Sequence, residues 1–202
     1  MSNWDFSQPE GSELLDREVP CLGHELDGRR VALCITGGIA SIKAPLIVRA
    51  LRKHGADVVV FASQEGLRYS TSDALEWASL HPVVDRLTPA AEHISGSAPF
   101  DCYLVAPATY NTINKIASGI ADGVVTSTIA SAIGRMEAGK TSVVLAPTMH
   151  GSLHNSILVE SMKKLSRMGV RIVKPRQENG KNNIPDTEEL LASVISELSP
   201  QE

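Results

Sequence analysis

The chain has 202 residues, of which 43% are hydrophobic and 21% are charged, and its formal net charge is -4. This length fits one domain that buries a sizeable core without disulfides or metals, and the composition is ordinary for a soluble globular protein. The negative charge argues against a nucleic-acid partner, and no apolar run is long enough to span a membrane. We therefore expect a cytoplasmic protein with neither nucleic acid nor membrane as a partner.

Residues 1–28 are polar and acidic without a hydrophobic period, which predicts an N-terminal arm, either disordered or docked on a neighbouring subunit. The remaining residues, 29–202, alternate apolar runs with helical patterns. The predicted strands are 31–35, 57–62, 82–87, 101–106, 141–146 and 170–174, and the predicted helices are 40–54, 64–69, one from 72, 113–119, 123–133, 156–168 and 187–198. This alternation predicts a single α/β domain, a three-layer sandwich with helices on both faces of a parallel sheet.

The first strand ends in the glycine turn Thr36-Gly37-Gly38, which opens a helix. Glycines allow close backbone approach, and the first N–H groups of a helix favour an anion, so the turn predicts a phosphate site. The spacing is not the G-x-G-x-x-G of dinucleotide folds. A plain tight turn between strand and helix also accounts for these residues.

Other polar groups follow later strands and, in a parallel sheet, meet at the same edge. They are Ser63, the hydroxyl- and amide-rich segment 107–112, and the segment 147–150. Hydroxyls and amides suit a polar ligand, although Asn111 or Thr112 also fits a helix N-cap. His93 precedes the strand at 101–106 and should reach this edge, although a lone histidine is often a surface or packing residue.

The cysteine and histidine spacings do not predict a metal site. Cys21, Cys34 and Cys102 form no C-x-x-C pair, and the last two lie in apolar runs that predict buried thiols. His150 and His154 are four residues apart, but no acidic or thiol partner completes a metal set.

Three motifs in order resemble the homo-oligomeric flavin-containing cysteine decarboxylase family. They are Thr36-Gly-Gly-Ile-Ala40, His93-Ile94, and Pro107-Ala-Thr-Tyr-Asn-Thr112, which is similar to the family's Pro-Ala-Ser-Ala-Asn-Thr. The resemblance covers about 31–198. It implies a flavodoxin-like, Rossmann-like subunit and a homo-oligomer built from trimers, with FMN bound where subunits meet.

The resemblance also implies roles for particular residues. The implied FMN-binding residues are Thr36, Gly37, Gly38, Ile39, Ala40, Ser63, Pro107, Thr109, Tyr110, Asn111, Thr112 and Thr148. The implied catalytic residues are His93 and Asn111, and Met149, His150 and His154 are expected to line the substrate pocket.

Two departures from the decarboxylase pattern shape the functional prediction. The family's Pro-x-Met-Asn-x-x-Met-Trp appears here as Pro147-Thr-Met-His-Gly-Ser-Leu-His154, so a histidine replaces the asparagine expected to hold the substrate carboxylate. The loop 177–185 lacks the cysteine that completes the pantothenate reaction. We therefore predict an FMN-dependent reductase of the dihydromethanopterin reductase-like branch, passing electrons from NAD(P)H to a dihydropterin. The alternatives are a phosphopantothenoylcysteine-type decarboxylase and a non-catalytic flavin-binding subunit.

Overall fold

The structure, a computed structural model, describes residues 6–94 and 98–199. The strands are β1 (Arg30–Ile35), β2 (Asp57–Ala62), β3 (Cys102–Ala108), β4 (Ser142–Pro147), β5 (Met149–His150), β6 (Arg171–Ile172), β7 (Arg176–Glu178) and β8 (Lys181–Asn183). The α-helices are α1 (Ala44–Lys53), α2 (Gln64–Leu67), α3 (Ser72–Ser79), α4 (Tyr110–Ala117), α5 (Val124–Glu137), α6 (Ser156–Arg167) and α7 (Thr187–Leu198). Short 3-10 helices cover Ile39–Lys43 and Gly151–Leu153. In the described part of the chain, no helix is both long and apolar enough to cross a membrane.

The central sheet has five strands in the order β2-β1-β3-β4-β6, and every pair is parallel. In the middle of the sheet, Leu33 pairs with Val60 on one side and with Leu104 on the other. The chain leaves β1 towards β2 and returns to form β3 on the opposite side of β1. The strand order therefore reverses between β1 and β3, and such a reversal opens a crevice beyond the carboxyl ends of the strands.

Both faces of the sheet are buried. In β1, Leu33 packs into a core with α1, α3 and α7, while Cys34 packs into a second core with α4, α5 and α6. Successive strand residues point to opposite faces, so an unbroken apolar strand is what a sheet covered on both sides requires. The predicted α/β fold with a parallel sheet and helices on both faces is confirmed.

Some predicted elements differ from the structure. The strand predicted at 82–87 is reduced to one bridge between Val84 and Phe61. The strand predicted to end before Pro107 runs on to Ala108. The segment 177–185, expected to be a loop, contributes to the antiparallel hairpin β7–β8. Asn179 and Gly180 form its turn with φ of 51° and 70°, as an Asn-Gly hairpin turn requires.

The described part of the N-terminal segment packs against this chain's own helices. The Leu22 amide donates to Lys53 O at 2.7 Å, the Leu26 amide donates to His54 O at 2.9 Å, and Leu26 is fully buried. The Arg17 guanidinium donates to the carbonyl oxygen of Glu76 near the end of α3. Residues 1–5 of the predicted arm lie outside the described residues, and docking of the arm on a second subunit stays a prediction.

Candidate functional site

A cleft of about 650 Å3 lies at the crevice between the carboxyl ends of β1 and β3. This volume is in the range of small-molecule and cofactor sites. Six of the residues predicted to bind the cofactor line it: Thr36, Gly37, Ser63, Thr109, Asn111 and Thr112. The carboxyl ends of the parallel strands therefore bring together residues that are up to 76 positions apart in the chain.

The glycine turn Thr36-Gly37-Gly38 packs tightly against α2, which forms the neighbouring wall of the cleft. A Cβ added at Gly37 would lie 2.5 Å from the Cβ of Glu65, so no side chain fits there without a shift of α2. A Cβ added at Gly38 would lie 3.5 Å from Thr109, which is an ordinary contact. Ser41 holds the turn from inside, because its buried hydroxyl donates to Thr36 O at 2.6 Å.

Hydroxyl groups join the ends of β1 and β3. The Thr36 hydroxyl donates to Pro107 O at 2.7 Å and lies 3.5 Å from the Thr109 hydroxyl oxygen. Thr109 is the N-cap of α4, where its Oγ1 accepts from the Thr112 amide at 3.4 Å. Ser63 has the same role at α2 and accepts from the Gly66 amide at 3.1 Å. Ser63 and Thr109 therefore each cap a helix and line the cleft. The cap of α4 is Thr109, not Asn111 or Thr112.

The far wall of the cleft was not among the predicted site residues. It contains the start of α5, together with Lys115 and Asp122, whose ammonium and carboxylate are 2.6 Å apart. The hydrogen bond from Lys115 is the main reason that the pKa of Asp122 lies below its usual value. Arg86 and Tyr69 also line the cleft. The run 113–122, which directly follows the Pro107–Thr112 motif, also resembles the family, and that was the available signal for this wall.

The other predicted cofactor residues stand behind or beside the cleft wall. Pro107 supplies the carbonyl that Thr36 binds, and Thr148 donates its amide to Ala108 O at 3.0 Å. The remaining four lie where a helix begins at this edge of the sheet. Gly38 is the N-cap of the first 3-10 helix, which begins with Ile39 and Ala40, and α4 begins with Tyr110.

His93 does not line this cleft. Its neighbours Glu92 and Ile94 line a second cavity of about 500 Å3 beside the outer strand β2. Its Nδ1 is buried and has no hydrogen-bond partner among the described residues. The adjoining residues 95–97 lie outside the described ranges. A catalytic role for His93 remains a prediction.

The predicted substrate residues lie on the loop after β4. Met149 is buried, whereas His150 and His154 are exposed. His150 Nδ1 accepts from the Ser152 amide at 3.3 Å. His154 Nδ1 is 2.8 Å from Asn182 Nδ2, and Gln177 Nε2 donates to Asn182 Oδ1 at 3.4 Å, which orients the amide. Because Nδ1 accepts in both rings, the neutral imidazoles carry their proton on Nε2 and present an N–H donor.

Comparison with known proteins gives matches along most of the chain. A family model described as Flavoprotein matches residues 22–199. The coenzyme A biosynthesis bifunctional protein CoaBC of Thermococcus kodakarensis is 35% identical over 182 residues, which cover 88% of this chain and 44% of that protein. CoaBC of Methanocaldococcus jannaschii is 30% identical over 173 residues and is covered to 42%. The chain thus spans less than half the length of these curated relatives.

Solved structures show the same fold. The FMN-dependent cysteine decarboxylase SpaF superposes with a TM-score of 0.73 at 22% identity, over 86% of this chain and 98% of that one. A PPC decarboxylase mutant complexed with pantothenoylaminoethenethiol gives 0.67 at 21% identity, over 82% and 96%.

These comparisons overturn the prediction of a reductase. The relatives are coenzyme A biosynthesis proteins and the structural neighbours are decarboxylases, so the NAD(P)H-to-dihydropterin activity and the dihydromethanopterin reductase-like character were wrong. The prediction rested on two departures from the family pattern: His150 in place of an asparagine, interpreted as the loss of a carboxylate-binding donor, and the absence of a cysteine from 177–185. The Ser152 amide holds Nδ1 as an acceptor, so the ring keeps an N–H donor as the amide would.

Proposed function

This chain belongs to the Flavoprotein family, and we propose that it is an FMN-dependent decarboxylase of a cysteine-containing thiol substrate of the phosphopantothenoylcysteine type. The observation that carries the proposal is the cleft at the β1–β3 crevice, which belongs to a chain whose relatives act in coenzyme A biosynthesis. FMN-dependent cysteine decarboxylases share its fold.

The cleft residues fit FMN. The Thr36 and Ser63 hydroxyls line the cleft beside Gly37 and are groups of the kind that hydrogen-bond a phosphate. Asn111 and Thr112 would lie along the ring system, with amide and hydroxyl groups for its polar edge. When bound, FMN would supply the two-electron oxidation that a thiol substrate needs before it can lose its carboxyl group.

The loop after β4 would hold the substrate. The Nε2–H groups of His150 and His154 are hydrogen-bond donors of the kind that bind a carboxylate. Asn182 fixes His154 from the β8 hairpin, so the hairpin would orient the ring even without a cysteine in 177–185. Met149 packs beneath the loop and sets its position.

The experiment is to incubate the FMN-loaded chain with phosphopantothenoylcysteine and measure released CO2. We expect CO2 from this substrate and none from its serine analogue, which lacks the thiol. FMN binding without CO2 release from the cysteine compound would contradict the proposal. Phosphopantothenoylalanine serves as a second control for carboxylate binding alone.

The homo-oligomer built from trimers, with FMN at subunit interfaces, is also part of this proposal. The position of His93 is consistent with such an oligomer. Within one chain His93 lies away from the cleft, so it would reach an FMN site only through a second copy of the chain. Light scattering should give a mass that is a multiple of three 21.6 kDa chains. A monomer that binds FMN tightly would contradict the shared site.

A further inference from the structure

Arg86 lies beside the end of β2, in the segment that was predicted as a strand and forms one bridge. Phe61 and Val84 make that bridge with their chains parallel, and two backbone hydrogen bonds of 2.9 Å join the segments there. Ser63 and Arg86 each follow the bridge by two residues in the same direction. Residues in equivalent positions of a parallel pair are neighbours across the two chains. The register therefore puts Arg86 next to Ser63.

The two segments stay together beyond the bridge. Gln64 Nε2, in the first turn of α2, donates to Asp85 O at 3.3 Å and to Asp85 Oδ2 at 3.4 Å, so an amide rather than Arg86 binds this carboxylate. Ser63, Gln64, Asp85 and Arg86 all line the cleft. Arg86 thus belongs to the end of the cleft where α2 packs against Gly37.

The Ser63 hydroxyl at this end of the cleft has a proton to donate. Its oxygen accepts from the Gly66 amide at 3.1 Å, and its proton has no acceptor within residues 6–94 and 98–199. A hydroxyl that caps a helix with its oxygen can still donate its proton to an anion. A neutral donor and a guanidinium are therefore neighbours at one end of the cleft.

Arg86 is also the cleft cation that no carboxylate binds in the described part of the chain. On the far wall, the Lys115 ammonium is 2.6 Å from the Asp122 carboxylate. Glu65, which lines the cleft from α2, is 2.9 Å from Arg68. Arg86 is exposed and makes no ion pair with a described residue. Its positive charge is therefore available to a ligand.

We propose that Arg86 is the counter-ion of the FMN phosphate and the residue by which the cleft distinguishes FMN from riboflavin. The inference rests on the proposed function, in which FMN binds in this cleft. A phosphate monoester carries a charge of about -1.5 to -2 at neutral pH, and a guanidinium pairs with two of its oxygens at once. Riboflavin has the same ring system and ribityl chain without the phosphate, so Arg86 would add nothing to its binding.

The test compares the affinities of FMN and riboflavin for the full-length chain, freed of flavin and titrated by flavin fluorescence. Arg86→Gln should weaken FMN binding about tenfold and leave riboflavin binding unchanged. Arg86→Lys keeps the charge without the planar fork and should recover part of the loss. Arg171→Gln removes an exposed arginine from β6, at the opposite edge of the sheet from β2, and is the matched control. It should bind both flavins as the native chain does.

Ionic strength gives a second readout that does not depend on decarboxylation. Raising KCl from about 50 mM to about 500 mM should weaken FMN binding to the native chain several-fold, because salt screens the pairing of guanidinium and phosphate. The same change should have a smaller effect on FMN binding to Arg86→Gln, and little effect on riboflavin binding to either protein. An identical salt dependence of FMN binding in the two proteins would contradict the pairing.

The possible outcomes separate this inference from the proposed function. If the native chain binds FMN and Arg86→Gln binds it equally well, the inference is overturned and the decarboxylase proposal stands. Equal losses for FMN and riboflavin would also overturn it, because Arg86 would then act on the ring or on the fold, and circular dichroism separates these two. A KM that rises in Arg86→Gln for phosphopantothenoylcysteine but not for pantothenoylcysteine, with FMN affinity unchanged, would assign Arg86 to the substrate phosphate instead. A native chain that binds neither flavin would overturn both proposals.

Discussion

The two ends of the central sheet carry opposite chemistry although the same strands supply both. At the amino ends, acidic side chains bind basic ones: Arg29 with Asp101 at 3.1 Å, and Asp57 with Arg30 at 3.0 Å and with the His81 ring at 2.5 Å. At the carboxyl ends of β1 and β3, hydroxyls bind backbone groups and line an open cleft. One end satisfies its polar groups internally, and the other keeps a shaped space for a ligand. Changes at the cleft should therefore affect ligand binding, and changes at the opposite end should affect only stability.

The largest expected effect is that of Gly37→Ala. Its Cβ would meet the Glu65 Cβ at 2.5 Å, so α2 must move away from the cleft wall. We expect FMN affinity to fall at least about tenfold and the free energy of unfolding to fall by about 1–3 kcal/mol, as for other overpacked sites. Titration of FMN fluorescence and urea unfolding measure the two quantities.

Gly38→Ala is the matched control for this change. Its Cβ would stand 3.5 Å from Thr109, and its φ of -173° is open to any residue. Both affinity and stability should stay near those of the native chain. Equal losses in the two variants would mean that glycine at this turn serves chain flexibility rather than close approach.

A smaller effect is expected from Thr36→Val, which keeps the side-chain shape and removes the hydroxyl. The hydroxyl is buried and donates to Pro107 O at 2.7 Å, so its loss leaves a buried carbonyl without that partner. The free energy of unfolding should fall by about 1–2 kcal/mol. Thr36→Ser retains the donor and should recover most of the loss in urea unfolding. If Thr36→Val were as stable as the native chain, the link between β1 and β3 would contribute nothing.

Much of the fold, and the grouping of polar residues at the carboxyl edge of the sheet, was predictable from the positions of the strand ends. The apolar run 57–62 and the helical pattern 187–198 predicted β2 and α7 with their observed bounds. Placing Ser63, Thr109 and Asn111 at one edge needed only the parallel sheet.

The features that the sequence did not predict depend on packing between elements that are distant in the chain. The start of α5 reaches the cleft through its packing beside α4, which no local pattern encodes. The hairpin β7–β8 has strands of three polar residues each, too short for a hydrophobic alternation. The contact between His150 Nδ1 and the backbone amide of Ser152 is set by the fold of the turn, and the residue type alone does not show it.

The smallest effect, at the opposite end, is that of Asp57→Asn. Partial burial works to raise the pKa of Asp57, but hydrogen bonds from Arg30 and His81 outweigh it and hold the pKa below its usual value. A lowered pKa in the folded state means that the ionised group stabilises the fold above the unfolded pKa of about 3.9, and that this contribution is lost as the pH falls through the folded value. The Asp57 side chain is 42% exposed, so solvent screening limits the contribution to less than about 1 kcal/mol.

Urea unfolding should therefore show Asp57→Asn slightly less stable than the native chain at neutral pH and equal to it well below pH 3, where the carboxyl is protonated in both states. FMN affinity should be the same in both proteins, because Asp57 begins β2 and the cleft lies beyond the other end of that strand. Asp16→Asn, at an exposed acid outside the helices, controls for the loss of one negative charge. A fall in FMN affinity specific to Asp57→Asn would mean that the two ends of the sheet are coupled, and the division between a stabilising end and a binding end would fail.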